Sequence, residues 1–152
     1  MLEEYEAAKK RGAKMYGEVA GYALNGDAHH ITSTSPNGEG AARCMKLALK
    51  NASVNNSDIQ YINAHGTSTP AGDIVESRAI KSTFNHHSKN LIVNSTKSMI
   101  GHLLGDAGGV EALVTVLSLK KQKLHQTINV ENQEPECDLD FNITSRKDVD
   151  IK

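Results

Sequence analysis

Alternating apolar and polar stretches divide the chain into predicted helices and strands joined by short polar loops. Apolar residues at helical spacing, with matching start and stop signals, predict helices over 2–11, 39–52, 72–84 and 101–121. Short apolar or alternating runs predict strands over 14–24, 59–64, 91–94 and 138–143. Strands that alternate with helices in this way indicate an α/β fold in which helices pack against a sheet.

The helix predicted over residues 39–52 is amphipathic, with Ala42, Met45 and Leu49 on one face. Cys44 fits this helix as a small buried group rather than as a nucleophile. The charged tail, Ser145–Lys152, is expected to lie loose. It ends without a further element, from which we expect the chain to be truncated.

Composition excludes several classes of protein. The 152 residues predict one domain, and the net charge of −1 predicts neither nucleic acid nor anionic membrane as a partner. No apolar run approaches the roughly 20 residues of a membrane span. The two cysteines have no metal-ligand spacing and form no disulfide framework, which favours a cytoplasmic location.

Two glycine-flanked turns carry the candidate chemistry. His65 lies in N-A-H-G-T-S-T-P-A-G-D at the end of a predicted strand, and His102 lies in K-S-M-I-G-H-L-L-G-D-A-G-G at the start of a predicted helix. The positive end of the helix dipole would keep His102 neutral, so that it donates an N–H to a developing oxyanion without protonating it. Two such donors on one thioester oxygen each contribute roughly 3 kcal/mol to the transition state. The alternative is that each histidine is structural.

Charged residues near the second turn extend this pattern. Lys97 can supply fixed positive charge or orient a histidine, and Glu111 can turn inward along the helix to pair with it. The remaining histidines are expected to be surface or loop groups, so metal catalysis is not expected: these are His29, His30, His86, His87 and His125.

The motifs resemble those of the β-ketoacyl-[acyl-carrier-protein] synthases, the elongating condensing enzymes of fatty-acid synthesis, and the type II enzymes most of all. The segments that carry the resemblance are L-E-E-Y-E-A-A-K-K-R-G-A-K, D-A-H-H-I-T, N-A-H-G-T-S-T-P-A-G-D, N-S-T-K-S-M-I-G-H-L-L-G and C-D-L-D-F. The resemblance implies a thiolase-like fold, two similar α/β halves in an αβαβα arrangement, of which residues 1–152 would form most of the C-terminal half. It further implies a homodimer that condenses malonyl- and acyl-loaded acyl carrier protein.

The same resemblance implies roles for individual residues. His65 and His102 would hold the malonyl thioester oxygen, Lys97 would support them, and Glu111 would bond to Lys97. The positions that match contacts to the pantetheine arm are Thr32, Thr67 and Thr69. The positions that match a structural monovalent cation site of some members are Asn63, Glu76 and Glu111, although Glu76 also fits a solvated helix acid. No other cofactor is implied.

The chain departs from the family at the nucleophile. The family's acyl-accepting cysteine lies in an N-terminal half and its last active-site loop follows this region. Neither Cys44 nor Cys137 matches that cysteine. The isolated chain is therefore expected to be inactive and to expose surface meant for the missing half. The alternatives are a non-catalytic half-domain that binds acyl carrier protein or pantetheine, and a purely structural piece.

Overall fold

Five α-helices and four short strands follow one another in the computed structural model, which describes residues 1–144 and 147–152. The helices are α1 (Tyr5–Lys10), α2 (Glu39–Ala52), α3 (Gly72–Phe84), α4 (Lys97–Ile100) and α5 (Ala107–Lys121). The strands are β1 (Tyr61–Asn63), β2 (Ile92–Asn94), β3 (Lys123–Leu124) and β4 (Lys147–Asp148). Short 3₁₀ turns cover Asn56–Asp58, Asn85–Asn90 and Leu104–Asp106. The predicted α/β alternation is confirmed.

The site is built on the parallel pair of β1 and β2. Tyr61 lies opposite Ile92 and Asn63 opposite Asn94, and α3 makes the crossover that a parallel pair requires. Where the sequence predicts a final strand over 138–143, one bridge joins Asp140 to Ile92. Because both strands run the same way, their carboxyl ends lie side by side.

The core lies between this sheet and the helices α2 and α3. It consists of Ala64, Ile80, Phe84, Leu91, Val93 and Leu139. Met45 and Leu49 of α2 pack against it, and Ala42 is buried, so the predicted apolar face of this helix is confirmed. Because α2 and α3 pack against the sheet, they fix the position of the strand ends.

The strand predicted over 14–24 is wrong. This segment lies against helices, without a strand partner in the described part of the chain. Gly21 lies so close to α2 that a Cβ atom there would stand 2.6 Å from the carbonyl oxygen of Ala48, and Gly17 lies against Leu119 of α5. The two glycines let the backbone pack closely on the helices. The side chains between them point to solvent, and Val19 is 68 % exposed.

The expectation of a loose tail is also wrong where the structure describes it. β4 pairs antiparallel with β3, and the side chain of Gln122 bonds both the N–H and the C=O of Ile151, which is buried. Ser145 and Arg146 lie outside the described residues.

Apolar side chains remain exposed on α5, with Leu113 at 62 % and Leu117 at 47 %. A helix that is apolar around its circumference is typical of a protein interior. Within the described ranges, no helix combines the length and the apolar composition that crossing a bilayer demands. The exposed face of α5 is therefore the kind of surface that another part of a larger fold covers.

We expect Ile80→Ala to lower the free energy of unfolding by about 2–5 kcal/mol, because this side chain is 1 % exposed and its removal leaves a cavity in the core. Urea unfolding measures the change. Ile31→Ala is the matched control, since Ile31 is 94 % exposed and its truncation should change stability by less than about 0.5 kcal/mol. Equal effects of the two substitutions would contradict the described core.

Candidate active site

Two histidine side chains from separate turns meet above the carboxyl ends of β1 and β2. His65 follows β1, and His102 follows α4 after Gly101. Their ring centroids lie 5.4 Å apart with an interplanar angle of 86°, an edge-to-face contact. Both residues are exposed within this chain. The two rings are close enough to address one atom placed between them.

Glu76 of α3 holds the His65 turn. Its two carboxylate oxygens accept from the backbone N–H groups of His65 and Gly66, each at 2.8 Å. Gly66 has φ +42°, and a Cβ atom there would lie 2.6 Å from Cβ of Ser95, so the turn requires glycine. Glu76 is half-buried, and the interpretation of it as a solvated helix acid is wrong.

The backbone around His102 differs from the predicted helix start. The helix predicted over 101–121 begins only at Ala107, because the chain first passes through a loop and a 3₁₀ turn. His102 therefore does not lie at the N-terminus of this helix, where the sequence predicts it. Instead, the N–H of Leu104 donates to Nδ1 of His102 at 3.0 Å. Since Nδ1 accepts, the proton of the neutral ring lies on Nε2, which becomes the donor.

Lys97 and Glu111 form the predicted ion pair, between the Lys97 ammonium and Oε1 of Glu111. The side chain of Lys97 is 4 % exposed and that of Glu111 is 16 % exposed. The pair links α4 to α5 across the loop that carries His102. A positive charge is thereby fixed near the second histidine at low exposure.

A cavity of about 670 Å³ opens beside His102, and Thr67 and Thr69 line it. Thr32 is not part of the lining among the described residues. It lies on an exposed loop, where its N–H donates to Nδ1 of His30 at 3.2 Å. Two of the three predicted pantetheine contacts therefore lie together with a catalytic candidate, and the third lies elsewhere.

The segment 128–134 also lines the cavity. The residues that follow it are tied to α3 by exposed ion pairs, Arg78 with Glu136 at 2.5 Å and Lys81 with Asp138 at 2.6 Å. The start of the segment is joined to α4, because the N–H of Ile128 donates to the hydroxyl of Ser98 at 3.1 Å and the amide of Asn129 donates to the carbonyl oxygen of Ser98 at 3.2 Å.

The side chains predicted to hold a structural cation already have other partners. Asn63 accepts from the Thr96 hydroxyl through Oδ1 and donates through Nδ2 to the carbonyl oxygen of Glu111. Glu76 is bonded to two backbone N–H groups, and Glu111 to Lys97. In this arrangement the three side chains bond to protein groups, and the structural cation stays a prediction.

The histidines predicted to lie at the surface or in loops differ in burial, and His87 is part-buried, with Nε2 2.7 Å from the carbonyl oxygen of Ile59. His29, His30 and His86 are exposed, as expected. His125 is instead buried, at 9 % exposure, and hydrogen-bonded to Thr96. Its position directly after the apolar Leu124, at the end of a short strand, is the only local signal of burial in the sequence.

Sequence reasoning also missed Asp73, which lies in the same motif as His65. Its carboxylate accepts from the N–H of Ser68 at 3.1 Å. Burial raises the pKa of Asp73, while the hydrogen bond from Ser68 and the neighbouring His65 oppose that shift. Asp73 shapes the loop that carries Thr67 and Thr69, and its place at the end of the His65 motif was the available signal.

Comparison with known proteins places this geometry in a family. The family model described as "Beta-ketoacyl synthase, C-terminal domain" matches residues 16–131. The chain is 54 % identical over 141 residues to a 3-oxoacyl-[acyl-carrier-protein] synthase 2 of Synechocystis sp., a match that covers 93 % of this chain and 34 % of that protein. It is 50 % identical over 151 residues to the enzyme of the same name from Staphylococcus aureus, covering 99 % of this chain and 38 % of that protein.

Solved structures agree with the fold. A chain in a complex of a type II PKS acyl-carrier protein with its ketosynthase superposes with a TM-score of 0.95 at 43 % identity, covering 99 % of this chain and 37 % of that one. A beta-ketoacyl synthase from Burkholderia phymatum superposes with a TM-score of 0.90 at 39 % identity, covering 98 % and 36 %. The chain thus has the thiolase-like ketosynthase fold and spans little more than a third of the length of these proteins.

We expect Lys97→Met to lower the free energy of unfolding by about 3–5 kcal/mol, because it leaves the Glu111 carboxylate partly buried without its cation. The double variant Lys97→Met/Glu111→Leu should lose less than the sum of the single variants. Urea unfolding of the four proteins completes the cycle. Arg78→Met, which breaks an exposed pair, should cost less than about 1 kcal/mol. Additive losses from Lys97 and Glu111 would contradict the buried pair.

We expect Asp73→Asn to change how stability depends on pH. Because burial raises the pKa of Asp73, the folded state keeps a proton that the unfolded chain loses above about pH 4, so this group lowers stability as pH rises through that range. The variant should remove that decrease in urea-unfolding curves. Asp138→Asn is the control of opposite sign. A hydrogen bond from Lys81 lowers the pKa of Asp138 in the folded state. The ionised Asp138 therefore stabilises the fold at pH values above the pKa of the unfolded chain, and this stabilisation is lost as pH falls.

Proposed function

The chain belongs to the beta-ketoacyl synthase family, and on that premise we propose that it forms the malonyl-activating part of a 3-oxoacyl-[acyl-carrier-protein] synthase 2. The observation that carries the proposal is the 5.4 Å separation of the His65 and His102 rings, which come from two different turns. The identity of 50–54 % to enzymes of that name supports the substrate class. The complete enzyme would perform a decarboxylative Claisen condensation.

In the proposed reaction, both histidines donate N–H groups to the carbonyl oxygen of a malonyl thioester. The bond between the carboxylate carbon and the α-carbon breaks, carbon dioxide leaves, and the electron pair passes into an enolate whose oxygen carries the negative charge. The donors strengthen their hydrogen bonds as that charge develops, which lowers the barrier. The enolate carbon then attacks an acyl-cysteine thioester, a new carbon–carbon bond forms, and the cysteine thiolate leaves.

Lys97 supports this chemistry through its position. Its ammonium group is held by Glu111 and cannot reorient towards solvent without breaking a pair of low exposure. We propose that this pair, which joins α4 to α5, holds the loop between the two helices and so fixes the position of His102 as a donor.

The acyl-accepting cysteine of the proposed enzyme lies outside these 152 residues. Cys44 is half-buried in α2, where its thiol donates to the carbonyl oxygen of Ala23 at 3.1 Å. Cys137 lines the cavity beside His102 but is 6 % exposed. Formation of an acyl-enzyme on Cys137, detected by mass spectrometry, would overturn this part of the proposal.

The proposed partner is acyl carrier protein, in its acyl- and malonyl-loaded forms. A ketosynthase that resembles this chain has been solved in complex with an acyl-carrier protein, which supports this choice. Thr67 and Thr69 would contact its pantetheine arm in the cavity. The exposed apolar face of α5, at Leu113 and Leu117, would pack against the remainder of the synthase, and the complete enzyme would be a homodimer.

We expect His102→Ala in the complete enzyme to lower carbon dioxide release from malonyl-acyl carrier protein by about 10²–10³-fold, because one oxyanion donor is lost. Radiolabelled malonyl substrate measures the rate. His86→Ala, which removes an exposed histidine, should leave the rate unchanged. Binding of malonyl-acyl carrier protein without carbon dioxide release from the unchanged enzyme would favour a binding half-domain instead.

A further inference from the structure

His125 is a buried ionisable residue to which the proposed mechanism assigns no role. Its backbone carbonyl oxygen accepts from the side-chain amides of Asn94 at 2.7 Å and Asn142 at 2.9 Å. Its ring nitrogen Nδ1 lies 2.9 Å from the carbonyl oxygen of Gln126, and Nε2 lies 3.0 Å from the hydroxyl of Thr96. Both ring nitrogens and the backbone carbonyl of His125 thus have polar partners within the protein interior.

The ring of His125 begins a chain of hydrogen bonds that reaches α5. Nε2 contacts the Thr96 hydroxyl, which donates to Oδ1 of Asn63 at 3.2 Å. Asn63 in turn donates through Nδ2 to the carbonyl oxygen of Glu111 and to the hydroxyl of Thr115, each at 3.2 Å. Because a carbonyl oxygen can only accept, the bond to Glu111 fixes which way the Asn63 amide faces. The orientation of Asn63 then requires Thr96 to donate.

This chain touches the elements that carry the catalytic candidates. Thr96 directly precedes Lys97, and its carbonyl oxygen accepts from the N–H of Met99 in the first turn of α4. Asn63 ends β1, one residue before the turn that leads to His65. Glu111, whose backbone carbonyl accepts from Asn63, is the residue whose side chain pairs with Lys97. One imidazole therefore ties together the three backbone segments whose relative positions set the site.

We infer that His125 is a positioning residue, which holds Thr96 and through it Asn63 so that Lys97, Glu111 and His65 keep their mutual geometry; this inference rests on the proposed function. The bond that matters is the one between Nε2 and Thr96, since the bond of Nδ1 to Gln126 stays within neighbouring residues. A displacement of about 1 Å at a catalytic group lowers turnover by as much as 100-fold. Removal of the ring should therefore act on catalysis more than on substrate binding.

The test compares variants of the complete synthase that contains these residues. His125→Leu should lower kcat by about 10- to 100-fold while KM for malonyl-acyl carrier protein stays within about twofold. Two amide variants distinguish the contribution of Nε2 from that of Nδ1. His125→Gln places an amide nitrogen near the position of Nε2 and should restore most of the rate, whereas His125→Asn reproduces only Nδ1 and should not.

A second readout does not depend on activity. Hydrogen exchange of the Met99 and Gly101 amides, which bond to the carbonyl oxygens of Thr96 and Lys97, should quicken by about 10-fold in His125→Leu and return towards the original rate in His125→Gln. His87→Leu is the matched control. His87 is also part-buried and its Nε2 lies 2.7 Å from the carbonyl oxygen of Ile59, but it contacts no residue of the chain described above.

The outcomes separate the two proposals. If the unchanged enzyme releases no carbon dioxide, the proposed function fails, and the exchange rates alone decide the role of His125. If the enzyme is active but His125→Leu changes neither kcat nor exchange, or if His125→Asn restores both as well as His125→Gln does, the role of His125 is overturned. If His125→Leu does not fold, the Gln and Asn variants decide.

Discussion

The arrangement of the site depends on one buried ion pair, between Lys97 and Glu111. A buried ammonium group is stable only when an anion and hydrogen bonds compensate for lost hydration, so the pair forces α4 and α5 to approach at one geometry. The loop between those helices carries His102, and its conformation is therefore determined at both ends. Glu76 performs the corresponding task for His65 by accepting from the backbone itself. Each histidine thus occupies an exposed turn whose supports lie deeper in the fold.

The local signals in the sequence predicted this part of the molecule well. Apolar spacing identified α2 and α3, and the glycine-flanked motifs identified the turns of His65 and His102. Spacing along the predicted helix identified Glu111 as the partner of Lys97. These features depend on short-range preferences and on distinctive residue combinations, which a single sequence carries.

The errors have a common physical cause, which is that tertiary partners decide the outcome. Residues 14–24 alternate like a strand, but a strand exists only beside another strand, and this segment lies on helices. The predicted long helix was interrupted before Ala107, where Leu104 adopts φ +52° and donates to His102. His125 has no sequence motif around it. Its burial results from Asn94, Thr96 and Asn142, which the fold brings together from distant positions.

The two walls of the cavity beside His102 are attached to the fold by different kinds of bond. The histidine side is held by the buried pair of Lys97 and Glu111, which salt scarcely reaches. The segment 128–134 begins with hydrogen bonds from Ile128 and Asn129 to Ser98 of α4, and the residues after the segment are held by the exposed pairs of Arg78 and Lys81 with acidic residues. Raising ionic strength therefore weakens only the surface pairs beyond the end of this segment, while its start stays bonded to the helix that carries Lys97.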